Sequence, residues 1–177
     1  MENEQFDKIL QKIQQLKEGN NPLDLSSKED LAVGIMNLIS LEEHLFFTYN
    51  KTGEKNYLEL LKEIREMRKG LLRRIVHNPQ GEVWCISKHL LAAAMRLMEV
   101  GTKKIGEGKE KEAKELFHKS YVLWNIFWGL NLDIIPVKDI KETITEGDNI
   151  VSGSKSKTTV WSKLGKIIES ILDCCRE

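Results

Sequence analysis

The chain has 177 residues, 31% of them charged and 41% hydrophobic, and its charges balance to a formal net of zero. That length suits one domain with a tail and is enough to bury a sizeable core. A balanced charge gives no general pull toward nucleic acid or anionic membrane, so no nucleic-acid partner is expected.

Taken in order, the chain reads as helices separated by breaks. Phe6, Ile9, Leu10, Ile13 and Leu16 repeat at helical spacing, which predicts a first helix over 4–18, stopped by Gly19-Asn20-Asn21-Pro22. Ser26 with Glu29 three residues later forms a capping box, so a second helix is expected from Ser26 to about Tyr49. A third is expected over 54–76, ahead of Asn78-Pro79. A fourth covers 82–105 and ends at Gly106 and Gly108, and a fifth covers 109–130. No segment alternates strictly with period two, so strands are not expected. Short connections favour antiparallel neighbours. The expected fold is therefore all-α, an antiparallel helical bundle of about five helices over residues 1–135.

Beyond Pro136 the composition shifts to Lys, Glu, Thr, Gly and Ser, with Ser152-Gly153-Ser154 near its centre, which predicts a flexible linker over 136–158. A final amphipathic helix is expected over 159–177. Its apolar stripe is Trp161, Leu164, Ile168 and Ile171, continued by Cys175. A linker followed by such a helix suits docking, either in a homo-oligomer or on a protein partner. From Lys155 onward five Lys/Arg face three Asp/Glu, a small bias that leaves membrane-surface contact by the tail as a minor alternative.

Residues 1–5 are polar and lack the apolar region of a secretory leader, and no apolar run approaches the roughly 20 residues of a membrane span. The cysteines are Cys85, Cys174 and Cys175, an odd count with two adjacent. Reduced thiols and a cytoplasmic location are the expectation, with no transmembrane segment.

Few residues carry chemistry. Along the second helix Leu31, Ile35, Leu38, Glu42, Leu45 and Tyr49 share one stripe, so Glu42 stands where a core residue belongs. A carboxylate there must be paired, protonated or metal-bound, since leaving it alone costs several kcal/mol. On the third helix Leu60, Ile64, Met67 and Leu71 mark the apolar centre, with Glu63 at its edge. The fourth helix carries a polar line of Cys85, His89, Arg96, Glu99 and Lys103. Glu42, Glu63, His89 and Glu99 are the residue types of a carboxylate-rich site for Fe, Mn or Zn, with Arg96 placed to orient an anionic group. In residue types this set is similar to ferritin-like di-metal proteins, which carry Glu-x-x-His on two helices. Here Glu115-Leu116-Phe117-His118 is the single copy, away from the aromatic centre of its helix. Arg73-Arg74-Ile75-Val76-His77 has the Arg-then-His order of HEPN-type helical ribonucleases at a shorter spacing. Phe117, Tyr121, Trp124, Phe127 and Trp128 form an aromatic stripe expected in the core. No phosphate-binding glycine loop or zinc-ribbon spacing occurs.

The leading expectation is a non-enzymatic interaction protein that self-associates or docks a partner through the tail. The alternative is a metal-binding bundle with oxidoreductase or hydrolase activity.

Overall fold

The computed structural model describes residues 22–76 and 81–140, together with the isolated positions Gln11 and Gln15. Among the described residues there are four α-helices, a short 3-10 helix and no strand. They are α1 (Pro22–Thr52), α2 (Asn56–Leu72), α3 (Glu82–Gly106) and α4 (Glu110–Asn131), followed by the 3-10 turn Val137–Asp139. Of the expected first helix only Gln11 and Gln15 are described, and both are helical and exposed. His77, the part of the expected linker beyond Ile140 and the expected tail helix lie outside the described residues.

α1 begins one turn earlier than its capping box suggests. Pro22 takes the first helical position, where its missing N–H costs nothing, so Ser26 sits inside the helix rather than at its cap. α1 ends at Gly53, whose φ of 71° favours glycine and whose N–H reaches the Tyr49 carbonyl at 2.8 Å. α3 ends in a Schellman motif centred on Gly108 (φ 73°): Lys109 N–H bonds the Lys104 carbonyl at 2.9 Å and Gly108 N–H bonds Ile105 at 2.9 Å. Beside that turn Glu107 accepts hydrogen bonds from Lys104 and Lys109, which hold its carboxyl down at about 2. α4 closes in the same way with Asp133 in the left-handed position (φ 53°), and Ile134 N–H reaches back to Gly129 at 2.7 Å. The chain folds so tightly there that a Cβ on Gly129 would lie 2.6 Å from Ile135 Cδ1.

α1 pairs with α2 and α3 pairs with α4, while α1 also touches α3. Glu42 meets Arg68 across the first pair. Across the second, Ser87 meets Asn131, Ala94 meets Ser120 and Gly101 lies against Phe117, a descending order that makes α3 and α4 antiparallel. Small residues permit this close approach: a Cβ on Gly101 would stand 2.6 Å from the Phe117 ring. The core gathers Ala32, Ile35, Met36 and Ile39 of α1 with Leu72 at the end of α2 and Ile75 and Val76 after it. Leu90, Leu91 and Ala94 of α3 and Val122, Ile126, Phe127, Trp128 and Leu130 of α4 complete it. Each large side chain buried this way contributes about 1.5–3 kcal/mol.

α2 sits differently from the sequence pattern. Its buried side carries Arg68 and Leu72, flanked by half-buried Leu61 and Ile64, while Leu60 and Met67 face outward. The inward face is therefore turned by about 70° from the expected apolar centre.

The stretch Ser26–Thr52 of α1 is long and apolar enough to cross a membrane by length and composition. The core helix of a soluble protein has the same composition, so length and hydropathy do not decide its setting. Its centre carries Glu42 and Glu43, both ion-paired to neighbouring helices.

Candidate functional site

Glu42 is paired. Arg68 Nε donates to Glu42 Oε1 at 2.5 Å and Arg68 Nη2 to Oε2 at 3.3 Å, a two-pronged contact between α1 and α2. The side chains are 4% and 15% exposed for Arg68 and Glu42. A planar guanidinium matches both carboxylate oxygens, so the pair satisfies the charge that the stripe on α1 forces inward.

About 100° further round the helix, the next residue, Glu43, accepts from Arg96 Nε at 2.9 Å and from Arg96 Nη2, while Arg96 Nη1 donates to Glu99 at 2.6 Å. The hydrogen bond to Glu43, followed by that to Glu99, raises the Arg96 pKa. All three side chains are more than a third exposed, so water screens the contact and its stabilisation is modest. Two carboxylates, Glu43 and Glu99, share Arg96, the residue expected to orient an anionic group.

The expected metal ligands do not gather. Glu42 is turned to Arg68 and Glu99 to Arg96, while Glu63 and His89 are exposed. Among the described residues no three His, Cys, Asp or Glu side chains are placed to share an ion. The polar line of α3 is its wet face, with Cys85, His89, Arg96 and Lys103 all exposed. The sequence placed these residues on one face correctly, but helical spacing alone says nothing of what lies opposite.

Two openings follow the seam between α1 and α3. The first, about 470 Å³, is lined by Val33 and Met36 of α1, Ala94, Met95 and Met98 of α3, and Phe117, Ser120, Tyr121 and Trp124 of α4. Its walls are almost wholly apolar; Ser120 Oγ is spent on the Ala94 carbonyl at 2.6 Å. Three methionines give it adaptable walls. The second, about 610 Å³, is lined by Ser40, Leu41, Glu43, His44 and Phe47 of α1 and by Arg96 and Glu99 of α3. The aromatic stripe of α4 thus divides: Phe127 and Trp128 enter the core, while Phe117, Tyr121 and Trp124 wall the first opening.

The interior also holds polar groups that the apolar count overlooks. Asn131 Nδ2 donates to Ser87 Oγ at 2.9 Å and to the Phe127 carbonyl at 2.7 Å. Among the described residues, both amide atoms of fully buried Asn125, and Trp128 Nε1, find no hydrogen-bond partner. The signal for them was visible as two asparagines in the otherwise apolar run 122–132.

No protein-family model matches this chain, and neither a curated protein nor a solved structure does.

Proposed function

We propose that the protein is a non-enzymatic helical interaction protein that self-associates or docks a protein partner through its C-terminal amphipathic segment. In this reading the four described helices and segment 4–18 form a bundle of about five. Residues 136–158 tether the docking segment 159–177, with Trp161, Leu164, Ile168 and Ile171 as its apolar face.

The observation that carries this reading is apolar surface left uncovered along the α1–α3 seam. Val33, Phe47, Met98 and Tyr121 are 45%, 59%, 44% and 46% exposed. Surface of this kind, rimmed by polar groups, marks binding of another apolar face. Among the described residues no three His, Cys, Asp or Glu side chains are placed to share a metal ion, and Arg96, Glu43 and Glu99 are bonded to one another.

Light scattering across a concentration series tests it. The full chain is expected to gain mass with concentration, and a chain ending at Thr158 to keep a constant, lower mass. Identical mass and identical unfolding for the two chains would remove the proposal.

A further inference from the structure

α2 keeps an apolar face that its packing on α1 does not use. Tyr57, Leu60, Ile64, Met67 and Leu71 recur at steps of three and four residues, the spacing of a coiled-coil seam, and share about 80° of the helical wheel. The helix turns Arg68 and Leu72 inward instead, and Leu60 and Met67 stay 44% and 55% exposed. Among the described helices α2 packs closely only on α1. The two openings between α1 and α3 offer no such continuous face, since they share no lining residue.

We infer that this stripe is the docking site of the chain's own C-terminal segment, lying parallel to α2. The inference rests on the reading of 159–177 as a docking element and adds where it docks. Spacing carries it. Trp161, Leu164, Ile168, Ile171 and Cys175 repeat the steps of three, four, three and four found on α2, read in the same direction. As a helix the segment therefore sets five seam positions against five on α2, from Trp161 with Tyr57 to Cys175 with Leu71. Charge gives the same direction. In 56–64 Glu59 and Glu63 outnumber Lys62, and the first half of the segment carries Lys163 and Lys166. In 65–74 Arg65, Lys69, Arg73 and Arg74 outnumber Glu66, and the second half of the segment has Glu169, Asp173 and Glu177 against Arg176. Parallel docking brings unlike charge together at both ends, within the roughly 10 Å over which it is felt.

Covalent reach favours this segment over the N-terminal one. Ile140 packs against the cluster that contains Ile75 and Val76, just past α2. The 18 residues 141–158 can span about 60 Å, against about 26 Å for the 17 residues of α2. Segment 4–18 joins Pro22 through three residues, and as a helix folded back along α1 it covers about 22 Å. Glu42, level with Arg68, is already about 30 Å from Pro22, and the stripe runs on from there toward Tyr57. The docked contact exchanged between copies is the route to self-association, as in domain swapping.

Cysteine pairing in the full chain tests the site and its direction, because Cys174 and Cys175 end the segment's stripe and Cys85→Ser removes the remaining thiol. In that background Gly70→Cys places a thiol beside Leu71, where nothing crowds a Cβ. A mild thiol oxidant applied to dilute protein is expected to link it to the tail within one chain. Glu59→Cys, at the other end of α2, is expected to stay unlinked. Hydrogen exchange gives the second readout. Met67→Lys, at an exposed position of the stripe, should speed exchange over 159–175 by roughly tenfold. Leu58→Lys, 40% exposed but about 160° round the helix from Leu60, should not. An unlinked Gly70→Cys thiol, equal linking at both positions, or links only between chains would overturn the inference. So would a tail whose exchange ignores Met67→Lys. If that happened while removal of the tail still lowered the mass, the interaction function would stand and α2 would be the wrong site.

Discussion

Replacing Arg68 by Met is expected to destabilise the fold by about 3–5 kcal/mol, because it strands a carboxylate between two helices. Arg68 is 4% exposed and Glu42 15%, and the guanidinium fills both carboxylate oxygens. Met keeps much of the side-chain volume, so lost packing adds little and the cost measures the abandoned charge. Removing both charges is a different experiment. The double variant Arg68→Met with Glu42→Leu continues the apolar stripe of α1 into the contact and should recover most of the loss, since two desolvated charges repay each other only in part. Urea unfolding of the three proteins reads this directly. A single variant that loses less than about 1 kcal/mol would mean the pair behaves as an ordinary surface contact.

The second large effect has the opposite sign. Asn125→Leu is expected to stabilise the protein by about 1–3 kcal/mol. The side chain is fully buried, and among the described residues neither its amide nitrogen nor its oxygen has a partner. Leucine has nearly the same shape and removes two stranded polar atoms. Asn131 is the built-in contrast: its amide nitrogen donates to Ser87 and to the Phe127 carbonyl while only its oxygen lacks a partner among the described residues, so Asn131→Leu breaks two hydrogen bonds and should destabilise. Thermal unfolding of both variants checks the contrast. A loss of stability in Asn125→Leu as large as in Asn131→Leu would show that its carboxamide is satisfied.

Helix boundaries were legible in the sequence because their causes are local. Gly53 and Gly108 stop helices through backbone conformation, and the chain alone announces that. Pro22 misled through the same locality, since the Ser26 capping box competes with a proline equally able to start a helix. Glu42 was legible as a charge needing a partner, yet the partner was not. Arg68 stands in an alternating charged run that reads as a solvated face, and only packing against α1 turns it inward. The same rotation of α2 exposes Leu60 and Met67, which its own periodicity placed at the apolar centre. The metal set failed for a related reason. Glu42, Glu63, His89 and Glu99 come from three helices, and periodicity fixes the face of each helix without fixing the rotation of one against another. The first opening was beyond reach for the same reason, since its methionines come from α1 and α3 and each looks like core on its own helix.

The role of the C-terminal segment is tested most directly by point substitution in the full chain, with Trp161→Ser and Ile168→Ser introduced together. Light scattering over a concentration series, with helical content followed by circular dichroism, is the measurement. The account predicts that the unmodified chain gains mass with concentration and that the double variant keeps one constant, lower mass at unchanged helicity of the described domain. A double variant that associates as the unmodified chain does would contradict it.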